Sequence, residues 1–242
     1  MRLVTLEPKG DVIFVGDTHG DLEASKRVIS KYMKRDNKIV FLGDYVDRGE
    51  YSKENIDFLL ELRKQNPKRI YLLLGNHDAY GILRCHPANF WESLVAEEKK
   101  KYFSIFEKFP LAISIGKIIA LHRVLPDTEK ISDINKISDR DEHWMQILWG
   151  DFQDRKGKYL GEDYQTGRPQ FGKGYFDEIM KRFGKNILIR SHQPNAPEKM
   201  FDKRCLTIFT SSAYGRKRTV AIADFSKRKE IKTVDDLVIE EI

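Results

Sequence analysis

"KIVFLGDYVDRGEYS" (residues 38–52) is an apolar run, a glycine, and then three charges within five residues. The run through Leu42 is rich in β-branched and aromatic residues. It is long enough for a buried strand and too short for a helix. A strand buried on both faces has no room for charge, so Asp44, Asp47 and Arg48 must lie just past its end. Ser52 then opens a stretch to Gln65 with Ile56, Leu59, Leu60 and Arg63 at helical spacing, which predicts a helix.

The same grammar repeats on either side. "DVIFVGDTHG" (11–20) and "RIYLLLGNHD" (69–78) each run from an apolar strand through Gly into Asp, His or Asn. Between the first two strands, "DLEASKRVISKYMKR" (21–35) reads as an amphipathic helix with Asp21 as its N-cap. The order β-α-β-α-β predicts a parallel sheet with right-handed crossovers. The polar residues then line the carboxyl edge, where open α/β sheets bind ligands.

The second half predicts a helical region over 88–109, a hairpin over "LAISIGKIIALH" (111–122) turning near Gly116-Lys117, and helices over 141–149 and 173–183. "NILIRSH" (186–192), "CLTIFTSS" (205–212) and "RTVAIADF" (218–225) read as further strands. The expectation is a second, mostly antiparallel sheet packed on the first. The fold class is therefore α/β: a two-sheet β-sandwich flanked by helices with a βαβαβ core, in one domain over residues 1–242.

The chain has 242 residues, 40% of them hydrophobic, which suits a single sizeable core. Its formal net charge is +6. The basic runs "EKKKY" (98–102), "GRKR" (215–218) and "SKRKE" (226–230) are short and not interleaved with aromatics, so nucleic acid is not the expected partner. Cys85 and Cys205 belong to no CxxC pair, which argues against a disulfide framework or zinc cage. No run has the roughly 18 apolar residues of a membrane helix, and the N-terminus does not read as a signal peptide. A reducing, cytoplasmic location is expected.

Four of the six histidines follow apolar strands: His19, His77, His122 and His192. Each strand-end residue alone is an ordinary turn or cap. Together, Asp17, His19, Asp44, Asn76, His122 and His192 form a set of oxygen and imidazole ligands. That set suits two divalent first-row metals, with Mn expected and Fe or Zn as alternatives.

At this point the residues resemble a family. "GDTHG" (16–20), "GDYVDRG" (43–49) and "GNHD" (75–78) are similar to the three core motifs of the PPP family of metal-dependent serine/threonine phosphoprotein phosphatases. "ILWGD" (147–151), "GRPQFG" (167–172), "IRSHQP" (189–194) and "TSSAY" (210–214) resemble its later segments, so the likeness spans roughly residues 11 to 224. The resemblance implies the calcineurin-like metallophosphoesterase fold. It implies that Asp17, His19 and Asp44 hold one metal and that Asp44 bridges to a second held by Asn76, His122 and His192. A hydroxide shared by the metals would attack phosphorus in one step. Arg48 and Arg168 would grip the phosphate, with Tyr214 at its border, and His77, oriented by Asp47, would protonate the leaving alkoxide. The implied substrate is a phosphoserine or phosphothreonine protein or peptide, and no regulatory subunit is specified. The alternative is a symmetrical diadenosine-tetraphosphate hydrolase or another nucleotide or nucleic-acid metallophosphoesterase. Asp47 favours the phosphatase branch, and Asp78, where the phosphatases typically show Glu, favours the alternative.

The pattern breaks at "LHRVLP" (121–126). Arg123 and Val124 stand where the family has two glycines, which singles out His122 among the ligands. Asp78 reads as a cap or supporting acid. The short basic loop after Tyr214 and the lack of a long C-terminal tail are expected of a compact archaeal or bacterial member.

Overall fold

The three runs that stop at glycine become β2 (Asp11–Val15), β3 (Lys38–Phe41) and β4 (Ile70–Leu72), paired in parallel. Their crossovers are α1 (Leu22–Tyr32) and α2 (Ser52–Gln65). Asp21 caps α1, its Oδ1 accepting from the Ala24 N–H at 3.0 Å, an interaction typically worth about 1 kcal/mol. At α2 the cap position is Tyr51, and Ser52 is already helical; its hydroxyl donates back to the Gly49 carbonyl at 3.1 Å. Two antiparallel strands, β13 (Thr219–Asp224) and β14 (Val238–Glu241), complete a sheet ordered β14-β13-β2-β3-β4. This computed structural model describes residues 1–34, 36–227 and 231–242. Residue 35 of the expected first helix and residues 228–230 of the basic run at 226–230 lie outside the described residues.

The second sheet joins β1 (Leu3–Leu6), β5 (Ala112–Ile115), β6 (Ile118–Leu121), β10 (Ile187–Arg190), β12 (Cys205–Thr207) and β11 (Lys199–Met200), in that spatial order. It corrects the antiparallel expectation. The β1–β5, β6–β10 and β10–β12 pairings are parallel; only β5–β6 and β11–β12 are antiparallel. The hairpin at Gly116-Lys117 can only reverse the chain. The segment from β6 to β10 instead carries α5 (Glu142–Trp149), a small sheet and α6 (Lys173–Arg182), enough chain to return in parallel. Within that segment the small sheet is β7 (Asp151–Phe152), β9 (Pro169–Phe171) and β8 (Tyr159–Glu162). The helical region at 88–109 is two helices, α3 (Asn89–Ser93) and α4 (Ala96–Phe106), separated where Leu94 and Val95 turn extended.

Between the sheets lies one apolar layer, with Phe14, Val40 and Leu42 on one side and Ile113, Ile189 and Leu206 on the other. The outer faces are covered by helical residues such as Val28, Leu59, Trp91, Trp144 and Phe176. No helix among the described residues is long and apolar enough to cross a membrane. The two sheets meet at their carboxyl edges: Asp17 bridges in parallel to Phe209, and the Thr210 N–H donates to the Asp17 carbonyl at 3.1 Å. Every strand-end residue of the sequence analysis is thereby brought to one seam.

Candidate metal centre

The seam is built from tight turns. His19, Asp44, Asp47, Arg48 and His192 all have positive φ, from 41° to 72°. They are five of the nine described non-glycine residues with that conformation, which marks the seam as the strained part of the backbone. The turns interlock. Thr18 N–H and His19 N–H both donate to the Asp44 carbonyl, at 3.2 and 2.9 Å, and Gly49 N–H donates to the His19 carbonyl at 3.0 Å. Gly49 has to be glycine, because a Cβ there would lie 2.1 Å from the His19 oxygen. Gly43 adopts φ 105°, and a Cβ on it would meet Gly75 at 2.6 Å. Asp78 is the brace beneath: its carboxylate accepts from the Asp44, Tyr45 and Gly75 amides at 2.8–3.0 Å. That makes it a supporting acid, and burial beside Asp44 pushes it up to about 8.

Two groups of side chains converge within 4.8 Å of one another, His19–Asp44–His77 and Asp44–His122–His192, and all are buried. Asp44 belongs to both. His19 Nδ1 faces the Val46 carbonyl at 2.8 Å and His122 Nδ1 faces the Leu42 carbonyl at 2.9 Å. A carbonyl can only accept, so in both rings Nδ1 carries the proton and Nε2 faces the seam. Burial works against a charge on His122, but Asp44 and Asp17 outweigh it and raise it above its usual range, so a cation there would replace a proton on Nε2. His122 Nε2 lies 3.1 Å from Asn76 Oδ1, 3.1 Å from His192 Nδ1 and 3.4 Å from Asp44 Oδ2. His122 therefore stands among the candidate ligands despite Arg123 behind it. His192 Nδ1 also lies 3.0 Å from Asp44 Oδ2.

Asp17 supplies the sharpest test of whether cations fit. Its carboxylate is fully buried, and neither oxygen has a hydrogen-bond partner among the described residues. Ser191 cannot serve it, because its single hydroxyl proton goes to the Ile208 carbonyl at 2.7 Å. Burial and the nearby Asp44 push Asp17 up to about 7. Two buried carboxylates facing imidazole lone pairs need positive charge between them, and hard oxygen and imidazole donors match divalent cations. Burial lowers His19 to about 3 and His192 well below its usual range, so both rings are neutral and able to ligate. Asp17, His19, Asp44, Asn76, His122 and His192 would hold the ions.

Asp47 and His77 form a separate pair. His77 Nδ1 lies 2.8 Å from Asp47 Oδ2, and the other Asp47 oxygen accepts from the Phe90 N–H at 2.9 Å. Burial works against a charged His77, but Asp44 and the Asp47 hydrogen bond outweigh it and raise it well above its usual range. Arg48 is exposed, with its backbone N–H held by Asn89 Oδ1 at 2.7 Å and its guanidinium 4.9 Å over the Tyr214 ring. The Tyr214 hydroxyl lies 2.8 Å from His19 Nε2, and beside it a cleft of about 420 Å³ is lined by His19, Arg48, Glu50, Tyr51 and Arg218. Arg168 stands apart. Its guanidinium lies 5.5 Å over Trp149, and its route to the centre runs through the neighbouring Arg123 and Asp151.

Three supporting residues escaped the sequence reading. Ser191 accepts from the Asp17 amide at 2.9 Å, Asn89 holds Arg48, and Trp91 donates to the His77 carbonyl at 2.8 Å. Ser191 was adjacent to a candidate ligand. Asn89 and Trp91 carried no local signal.

Comparison with known proteins agrees with this geometry. The calcineurin-like phosphoesterase family matches residues 10–196. A probable serine/threonine-protein phosphatase of Encephalitozoon cuniculi is 31% identical over 210 residues, covering 79% of this chain and 44% of the relative. Serine/threonine-protein phosphatase T of Aspergillus oryzae is 28% identical, covering 82% and 45%. The chain thus spans less than half the length of either relative. A solved serine/threonine phosphatase from Saccharomyces cerevisiae, described as similar to human phosphatase PP5, superposes with TM-score 0.83 at 23% identity, covering 99% of this chain and 82% of that one, which shows the shared fold. With more than half its length matched and its strand ends converging on one buried seam, the chain belongs to the calcineurin-like phosphoesterase family.

Proposed function

We propose that this chain is a metal-dependent phosphomonoester hydrolase that removes phosphate from phosphoserine and phosphothreonine in proteins. The observation that carries the reading is the buried Asp47–His77 pair beside the ligand cluster. An acid with a raised pKa is what an alkoxide leaving group requires, and a phosphoserine or phosphothreonine ester has such a leaving group. The names of the two relatives, both serine/threonine phosphatases, support the same substrate class.

Two divalent ions held by the six ligands would supply a water nucleophile near neutral pH and neutralise phosphate charge. Mn²⁺ is our assignment, on a donor set of oxygen and imidazole without thiolate. Arg48 offers a guanidinium fork to the phosphate oxygens, with the Tyr214 ring supporting it from beneath, and Arg168, which lies over Trp149, is assigned as the second fork. As the P–O bond to the serine or threonine oxygen breaks, the electron pair leaves with that oxygen, which takes the proton from His77 Nε2. Asp47 on Nδ1 holds the ring in orientation and keeps it charged beforehand. An apolar cluster whose members run from Leu3 to Val220 supports treating residues 1–242 as one catalytic domain. Two buried free thiols fit a reducing, cytoplasmic compartment.

The test is a substrate comparison. Metal-free protein is expected to be inactive, and Mn²⁺ to restore phosphate release from a phosphothreonine peptide. Far faster turnover of diadenosine tetraphosphate than of any phosphopeptide would overturn the substrate assignment.

A further inference from the structure

Arg123 follows His122 directly and is fully buried. Its guanidinium is held at two points. One nitrogen donates to the Asp151 carboxylate, and another to the Leu148 carbonyl at 3.3 Å. Leu148 lies in the last turn of α5, and Asp151 opens β7. A matching link exists on the other histidine. Gln193, directly after His192, accepts from the Phe152 N–H at 3.1 Å and donates to the Phe152 carbonyl at 2.8 Å.

The two-residue strand β7 therefore fastens the residue that follows each histidine. It also pairs in parallel with β9, Asp151 opposite Gln170, two positions from Arg168. Arg168 in turn lies over Trp149, at the end of the helix to which Arg123 is tied. A chain of direct contacts thus runs from His122 and His192 to the segment that carries Arg168.

We propose that Arg123 is a positioning residue: through Asp151 it locks His122 to β7 and holds the His122–His192 half of the metal centre in register with Arg168. The inference rests on the reading of that cluster as a metal centre. A glycine at this position can bring the backbone close but cannot reach β7. Here a side-chain bracket takes over that work. Asp151 is the acid that holds Arg123 in place, against burial and the like charges of Arg168 and Arg190.

The test titrates metal-free protein with Mn²⁺ by calorimetry and measures kcat and KM on a phosphothreonine peptide. The variants are Arg123→Gly, Arg123→Lys, Asp151→Asn and the double Arg123→Met/Asp151→Asn. The double variant removes the Arg123 and Asp151 charges together, so it separates the proposal from the cost of leaving one of that pair unpaired; circular dichroism checks the fold. Wild type is expected to bind two Mn²⁺. Arg123→Gly and Asp151→Asn should weaken one site by roughly 10–100-fold and leave the other, because a residue supporting a ligand has that leverage. KM should rise with the weakened site, Arg123→Lys should recover part of the loss, and the double variant should lose no more than either single one. Two sites of wild-type affinity in Arg123→Gly and in the double variant overturn the inference. Equal weakening of both sites, or no difference between Lys and Gly, does the same. Failure of wild type to bind two Mn²⁺ overturns the metal centre and the inference together.

Discussion

The two halves of the centre are held by different means. On the Asp17–His19 side the positions are set by backbone: interlocked turns at positive φ, glycines with no room for a Cβ, and amide hydrogens on Asp44 and Asp78 oxygens. On the His122–His192 side only His192 has positive φ, and two side chains, Arg123 and Gln193, reach to β7. Backbone turns demand particular residues in a short stretch, so they leave a local signature. Side-chain brackets join positions far apart and can be built in many ways.

The contrast breaks most sharply at Asp44, which both halves share. Asp44→Ala is expected to abolish binding of both metals and to lower activity by more than the roughly 10–100-fold loss typical of groups that merely support a ligand. Atomic absorption on dialysed protein checks it; retention of one tightly bound ion would separate the halves.

His77→Asn should lower phosphopeptide hydrolysis by about 10²–10⁴-fold, the usual range for a general acid, with metal content unchanged. Asp47→Asn should cost less and change the pH profile. The active form of His77 is protonated, and Asp47 helps to raise its pKa, so activity is lost as pH rises through that raised value. Without Asp47 the alkaline limb should move to lower pH. An unmoved limb would remove His77 as the acid.

Gly49→Ala tests the backbone-built half. Its Cβ would collide with the His19 carbonyl, and overpacking of this kind commonly costs about 1–3 kcal/mol. Urea unfolding measures it. The same substitution at Gly184, where a Cβ meets nothing within 4 Å, adds only the strain of φ 64° and serves as the comparison.

The smallest effect expected is a pH slope in metal-free protein. Burial and the nearby Asp44 raise the folded pKa of Asp17 to about 7 from its ordinary 3.8. Above its unfolded pKa the native state holds the proton more tightly, so stability is full at low pH and falls as pH rises through that window. The lowered His19 and His192 act in the opposite sense over the same window, so the readout in chelator is the difference in melting temperature between wild type and Asp17→Asn, which should shift in favour of Asp17→Asn from about pH 4 to pH 7. Asp17→Asn should also weaken the stabilisation by Mn²⁺.

Much of the centre was legible because strands ending in Gly and then a polar residue announce both the sheet and its functional edge. Asp17, Asp44 and Asn76 follow parallel neighbours, so their convergence follows from sheet geometry alone. The direction of the second sheet was not legible. Alternating apolar residues report which face is covered, and the parallel return of β10 beside β6 depends on what fills the segment between them. Tyr214 could be placed by family likeness but not by its contact, a hydrogen bond to His19 across 195 residues.

Sequence alone settled the parallel βαβαβ core, the residues at its carboxyl edge, and the kind of chemistry that buried oxygen and imidazole donors support. These rest on periodicity, turn residues and donor type, all of which act within a few residues. Only the tertiary structure decided that Arg123, an apparent obstacle behind His122, is tied to Asp151, and that Arg168 connects to the centre through that same strand. A buried charge is a liability or a support according to the partner it meets, and the partner is chosen by the fold.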